Sequence, residues 1–516
     1  MGIKSVTQHF NKRLFASVFL IAVSQFNYGF DNQAFTSTQA MDAFERQFGE
    51  YNPVKKTWAI PTYFLSLLNS LNYIGFAAGL IIGSLTSARF GRRMTMFVMS
   101  VYALVSATIV VTATKKEQIL MGRILNYVYV GFELSVVPVY QSEIVPAPVR
   151  GMVVGTYQLA IGLGGLVINS ICRGTSQFQD SRAYRIPFGL FYVIPTIVIC
   201  LIWFIPESPR WLLLRDRVEE AREAHYALRA GTMTPESIDL EFARIQQSLH
   251  DEPEQGRTKE LFQGVNLKRT AIAVGMSFFQ QATGQAFASQ YGAVWVKSLG
   301  TLNPFDVTLG SSALTSGLII TCLFLTDRVG RRKILLLGSF IQASALFTMA
   351  GLGVPTPVPH SHKSGMVGML LLFGAGFGLG WGPLTYVVVT EIPALRLRDR
   401  SQRASSLVNI FMNFLVNFTL PYLLNAPYAA LQSKVGFIFG SIAVCSALFV
   451  FFCVPECKGR SLEEIDRMFH DGVPVRHFGE YPMASEARGN PAKETDEEEG
   501  VDQEQQRDQT EGREVK

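Results

Sequence analysis

Long apolar runs alternate with short polar loops along most of the chain. Runs long enough to cross roughly 30 Å of hydrocarbon, about 20 residues each, lie at approximately 14–35, 62–87, 94–113, 119–141, 151–171 and 186–206. Six more follow at approximately 270–293, 308–326, 334–354, 365–390, 403–424 and 435–454. The pattern predicts an all-α membrane protein with twelve transmembrane helices. Charged signatures mark the ends of these runs. Arg89-Phe90-Gly91-Arg92-Arg93 returns as Arg328-Val329-Gly330-Arg331-Arg332, and Glu143 with Arg150 returns as Glu391 with Arg398 at the same spacing. Two signatures repeating in the same order at nearly one offset mean two homologous halves, the construction of a two-fold transporter.

The segments between the runs complete the layout. Residues 1–206 form the first six-helix bundle and residues 270–454 the second. Residues 207–269 mix Arg and Glu with Ala and Leu, as in Arg217-Val218-Glu219-Glu220-Ala221-Arg222-Glu223-Ala224, which suits amphipathic helices in a linker on the cytosolic face. Residues 455–516 form a cytosolic tail, and from about 484 its Glu, Gln, Asp and Arg content predicts disorder. No cleavable leader is expected, because the polar stretch Asp31-Asn32-Gln33, not a small-residue cleavage site, follows the first apolar run.

Basic residues in short loops set the orientation. The loops after spans 2, 4, 8 and 10 carry Arg89, Arg92, Arg93, Arg150, Arg328, Arg331, Arg332, Lys333, Arg396, Arg398, Arg400 and Arg403. Lys55, Lys56, Arg173, Arg182 and Arg185 blur the contrast on the other side. Both termini are expected in the cytosol, with the plasma membrane as the expected location.

Composition agrees with a lipid bilayer as the first partner. Hydrophobic residues make up 48% and charged residues 17% of the 516, well below the charge of an ordinary soluble chain. The net charge of +5 belongs to the cytosolic rim and gives no ground for nucleic-acid binding. Cysteines 172, 200, 322, 445, 453 and 457 lack the spacing of a disulfide framework or zinc site, so no metal and no cofactor is expected. No Ser/His/Asp or metal constellation points to an enzyme. Gly162-Leu163-Gly164-Gly165 and Gly374-Ala375-Gly376-Phe377-Gly378 lie inside spans, where small residues permit close helix packing.

The ordered motifs resemble the sugar porter family of the major facilitator superfamily over roughly residues 15–470. They are Gly29-Phe30-Asp31, Gly122-Arg123, Pro138-Val139-Tyr140-Gln141-Ser142-Glu143, Arg150-Gly151, Pro206-Glu207-Ser208-Pro209-Arg210-Trp211-Leu212, Gln280-Gln281 with Gly284, and Pro455-Glu456-Cys457-Lys458-Gly459-Arg460. The resemblance implies two six-helix bundles around a central cavity, working by alternating access.

It also implies site residues. Glu143, Arg150, Glu391 and Arg398, with Arg89, Arg92, Arg328 and Arg331, match a charged latch on the cytosolic rim, where charge-assisted bonds hold yet can break. Ala88 departs from the Asp usual there, whereas Asp327 keeps it. Asp31 matches the position where proton symporters carry an acid, and Arg123 its arginine partner. Pairing favours the ionised acid and separation the protonated one, so Asp31 would load and release one proton per cycle. Glu133, a second acid within a span, has no counterpart in the family pattern; proton movement, a substrate contact and a packing role all stay open.

Gln158, Gln280, Gln281, Asn409 and Asn413 match positions that face the sugar, with Tyr386 where a Trp is expected. Amides suit vicinal hydroxyls because each both donates and accepts. Ala286, Thr315, Gly378 and Ile410 depart from larger or polar family residues, which enlarges the cavity and favours a larger glycoside over a plain hexose. Gln285-Ala286-Phe287-Ala288 resembles the fungal maltose-type branch. The expected function is proton-coupled symport of a small-molecule substrate, a sugar, with two alternatives: a non-sugar metabolite such as a fungal secondary product, or a non-transporting sugar receptor.

Overall fold

The computed structural model describes residues 10–53, 56–250, 257–394, 397–458, 460, 462–479 and 481, and is built almost wholly of helices. The spanning helices of the first half are α1 (Lys12–Thr38), α2 (Thr62–Phe90), α3 (Arg92–Val111), α4 (Lys116–Ile144), α5 (Ala147–Thr175) and α6 (Arg182–Phe204). Those of the second half are α7, in three pieces (Gly264–Ala282, Gln285–Ser289, Gly292–Leu299), α8 (Pro304–Val329), α9 (Arg331–Leu352), α10 (His360–Glu391), α11 (Arg398–Leu424) and α12 (Val435–Cys453). Nine helices among the described residues are long and apolar enough on their own to cross a membrane. The other three, α1, α5 and α7, carry the polar side chains described below. The tail from 484 lies outside the described residues.

Lipid supplies no hydrophobic drive between helices, so packing depends on close approach. Helices α1 and α5 meet backbone to backbone. A Cβ on Gly29 would stand 1.9 Å from the carbonyl oxygen of Ile161, and one on Gly164 would stand 2.1 Å from that of Phe26. This contact fixes α1 against the wall that carries Gln158, while Asp31, two residues beyond Gly29, turns toward Asn126 of α4.

Helix α7 is not the continuous span expected from 270 to 293. It stops at Gly284, whose φ of +87° places it in the left-handed region, where a Cβ would meet the ring of Phe439 at 2.6 Å. It also begins at Gly264, before the apolar run, because its first turns include Lys268 and Arg269.

Short helices at Pro209–Leu213, Val218–Arg229 and Pro235–His250 link the halves on one side of the bundle. This linker is anchored rather than loose. The side chain of Asn11 caps α1 by accepting from the Leu14 amide at 2.7 Å and donates to the carbonyls of Ala227 and Ala230 at 3.1 and 3.0 Å. Arg229 donates to the last carbonyl of α4, on Ile144, at 2.9 Å while pairing with Glu241 at 3.0 Å. Beside them the buried His225 is pushed down to about 4, because burial and then the Arg229 charge penalise a cationic ring, against the attraction of Glu241.

Candidate functional site

A cavity of about 170 Å³ opens between the halves, walled by α1, α5, α7, α8 and α10. Its polar lining includes Asn32, Gln33, Gln158, Gln285, Ser289 and Thr315. Gln158 is the one residue of the expected amide set on this wall. Asn32, Gln33 and Gln285 were visible in the sequence only as a polar interruption of an apolar run and as part of a branch motif. A Cβ on Gly378 would meet Thr315 Cγ2 at 3.0 Å, so this glycine admits α8 against α10.

The other four amides are drawn together across α7 and α11. Asn409 Nδ2 donates to Gln280 Oε1 at 2.8 Å, Gln281 Nε2 to Asn409 Oδ1 at 3.5 Å, and Asn413 Nδ2 to Asn409 Oδ1 at 3.1 Å. Tyr73 of α2, in the opposite half, donates to Asn413 Oδ1 at 3.1 Å. Gln280 also donates to the carbonyls of Trp381 and Gly382, both at 3.3 Å, where a π-helical turn at Phe377–Trp381 widens α10. These amides therefore bond one another and the backbone here, while Gln281, Asn409 and Asn413 stay only partly buried. Tyr386 on α10 is 48% exposed and faces Tyr28 of α1 and Tyr157 of α5.

Asp31 and Arg123 are both buried, and no ion pair joins them among the described residues. Asp31 Oδ2 accepts from Asn27 and Asn126, both at 3.3 Å. Arg123 Nη2 instead donates to Asn69 Oδ1 at 3.0 Å and to Gln290 Oε1 at 3.5 Å, with its guanidinium 4.4 Å above the Phe35 ring. Gln290 lies in the break of α7. Its amide donates to Asn32 at 2.9 Å, and its oxygen accepts from Thr36 at 3.2 Å. No motif or spacing singles this residue out, because its position depends on the break. Glu133 is 1% exposed, and neither of its oxygens has a hydrogen-bond partner among the described residues.

The rim charges on the linker side pair within each half. Arg92 grips Glu143 through two bonds of 2.9 and 2.8 Å, and Arg331 meets Glu391 at 3.1 Å. Arg398 donates to the carbonyl of Thr390 at 2.8 and 2.6 Å. Arg89 lies over the Phe90 ring, and the carbonyl of Arg328 accepts from Lys458 at 2.7 Å. The side chains of Arg150 and Asp327 lie outside the described residues. Two acids within quoted motifs, Glu207 and Glu456, act where sequence reading assigned no role. Glu207 accepts from the backbone amides of Arg92 and Arg93, and Glu456 from those of Arg331 and Arg332, so each caps a helix of its half. Gly91 and Gly330, with φ of +93° and +103°, leave room for these carboxylates.

The described bonds between the halves gather on the side away from the linker. Lys297 of α7 pairs with Asp42 at 2.6 Å and Glu45 at 2.8 Å, both on the short helix Asp42–Phe48 that follows α1. Arg173 of α5 pairs with Asp306 of α8. Asn169 donates to Ser312 at 2.7 Å, and Ser66 to the carbonyl of Phe418 at 2.7 Å. Burial pushes the Glu45 carboxyl up, and Lys297 opposes that rise.

A family model described as Sugar (and other) transporter matches residues 17–469. The high glucose sensor RGT2 of Saccharomyces cerevisiae is 29% identical over 87% of this chain and 60% of the sensor, so the match spans less than two thirds of that relative. Major facilitator-type transporter ecdD of Aspergillus rugulosus is 29% identical over 90% of this chain and 88% of its own length. Among solved structures, the proton:xylose symporter XylE bound to 6-bromo-6-deoxy-D-glucose aligns with a TM-score of 0.71 at 22% identity, covering 89% of this chain and 99% of XylE. The inward-open conformation of XylE from E. coli aligns with a TM-score of 0.72 at 21% identity, over 88% and 99%. These alignments establish the twelve-helix major facilitator fold.

Proposed function

The chain belongs to the sugar (and other) transporter family, and we propose that it moves a sugar by proton-coupled symport with alternating access. It is a multi-pass membrane transporter and not an enzyme. The observation that carries the proton half of this reading is Asp31, an acid with 1% exposure inside a span, held next to the cavity residues Asn32 and Gln33. An acid in such a place is costly and calls for a function.

Arg123 supplies the coupling. When Asp31 is ionised, the two pair within the first half. When Asp31 takes a proton it needs no cation, and Arg123 is free to bond Gln290 in the broken α7, tying the halves together on the side away from the linker. The bonds of Lys297, Arg173, Asn169 and Ser66 support the same side being closed. The linker side is then the open, cytosolic side with both termini, in the plasma membrane, and the rim pairs Arg92–Glu143 and Arg331–Glu391, with Arg150 and Arg398, rearrange when that side closes.

Gln158 on the cavity wall and the cluster of Gln280, Gln281, Asn409 and Asn413 are the hydrogen-bonding surface for the sugar hydroxyls, with Tyr386 for its apolar face. The amides that bond one another here exchange those bonds for substrate. The solved neighbour XylE, named a proton:xylose symporter, and the glucose sensor among the relatives support a sugar, a hexose or larger glycoside. A non-sugar metabolite is the second reading, left open by a family model described as Sugar (and other) transporter. The test is uptake of labelled maltose and labelled glucose by transporter-deficient yeast at pH 5 and 7, with and without a protonophore. Acid-stimulated, protonophore-sensitive uptake supports the reading; no uptake of either sugar by surface-expressed protein moves it to the second.

A further inference from the structure

The contact between α1 and α4 holds polar groups that the coupling scheme leaves unused. Glu133, midway along α4, is buried, and among the described residues both its carboxyl oxygens are unpartnered. Around it, Asp31 Oδ1 of α1 and the hydroxyl of Tyr157 of α5 are also buried without a hydrogen-bond partner among the described residues, and the Tyr129 hydroxyl of α4 lies against Ser24 and Asn27 of α1. Next to Ser24, Gln25 of α1 donates to Gln141 of α4, eight residues beyond Glu133, at 2.8 Å.

The two helices run in opposite directions, which puts these groups in order. At about 1.5 Å per residue, Ser24 lies roughly 10 Å from Asp31 along α1, and Gln141 about 12 Å from Glu133 along α4, both toward the linker side. A polar seam thus descends from Asp31 past Asn27, Tyr129 and Glu133 to Gln25, Ser24 and Gln141. Buried polar groups are nearly always partnered, and an acid kept only for packing would be pinned by hydrogen bonds. Among the described residues Glu133 has none, which suits an acid that changes partners, and the other acid described in the seam is Asp31.

We propose that Glu133 is a second proton-carrying carboxyl, relaying the proton that leaves Asp31 to the linker side along the seam between α1 and α4. This rests on Asp31 being the coupling acid. Asp31 gives up its proton, through a hydroxyl or water, to the Glu133 carboxylate. Asp31 is then ionised and regains Arg123, while Glu133, now neutral, passes the proton on to water at the linker side and returns to carboxylate. One proton serves both acids in turn. The titratable groups facing Glu133 are Asp31 from α1, Tyr157 from α5 and Tyr129 on its own helix. Arg92 of α3 is taken up by Glu143 at the end of the helix.

The test uses the full chain in liposomes with a trapped pH dye, and D-glucose and maltose as separate probes. In wild type, adding the carried sugar outside acidifies the interior. Glu133→Gln is expected to lower this sugar-driven proton flux by at least about tenfold while sugar exchange, which needs no net proton movement, persists. Glu133→Asp is expected to restore part of the flux. Wild-type proton flux in Glu133→Gln overturns the relay, and so does equal loss of flux and exchange in both variants, which marks a structural role. A wild type that carries sugar without protons, or carries neither sugar, removes the symport reading and the relay with it.

Discussion

At the scale of single residues, the coupling scheme turns on which partner Arg123 holds. In this state it holds Asn69 and Gln290, and Asp31 is left to amides. Asp31→Asn fixes the neutral condition, so it is expected to abolish accumulation against a gradient while leaving sugar exchange largely intact. Accumulation by the variant would show that Asp31 is not the coupling acid. Asn409 is the centre of the amide cluster, and Asn409→Ala removes bonds that each contribute about 1 kcal/mol, so a rise in the apparent KM for uptake of around tenfold is expected. Both residues were legible in the sequence, Asp31 as an acid in an apolar run and Asn409 through its family position. Gln290 was not, because a glutamine near the end of an apolar run looks like a surface residue until the break at Gly284 turns it inward. Nor did the sequence show that four of the five amides would bond one another, since that depends on how closely α7 and α11 approach.

At the scale of elements, the short helix Asp42–Phe48 and the last piece of α7 form a clasp through Lys297. Sequence reading placed all the gating charge on the linker-side rim. Opposite charges on the other side, far apart in sequence, announce themselves only when α7 and this helix are brought together. Lys297→Gln is expected to weaken that closure, measured as faster modification of a cysteine placed at Ser289 by a membrane-impermeant thiol reagent. Unchanged modification would mean that the clasp adds nothing to closure. The linker makes a different prediction. His225 is held at about 4, below its ordinary value, so the folded linker binds fewer protons than the unfolded one between about pH 6.5 and 4. Its stability is fully present above pH 6.5 and falls as the pH drops toward 4. The opening equilibrium of residues 218–250, obtained by dividing the hydrogen-exchange rate by the intrinsic amide rate at each pH, is expected to rise by up to about tenfold per pH unit lowered in that window. His225→Asn is expected to flatten the profile, and an opening equilibrium in wild type that ignores pH would contradict the account.

At the scale of the molecule, the repeat in the sequence becomes a repeat in structure: Glu207 caps α3 as Glu456 caps α9, and Arg92–Glu143 is mirrored by Arg331–Glu391. The halves and their helices were legible because each run must satisfy its own backbone in lipid, which leaves a periodic record along the chain. The state of the molecule was not legible, because one sequence must encode both states of an alternating-access cycle. On the proposed reading, the two homologous halves exchange the bonds that close one side for those that close the other, and the proton on Asp31 sets the direction. The most direct measurement is steady-state accumulation of labelled sugar by the purified chain in liposomes under an imposed, inside-alkaline pH gradient with no other energy source. Proton-coupled symport requires an internal concentration above the external one, collapsing when a protonophore is added; a sugar that only equilibrates, with or without the gradient, would contradict it.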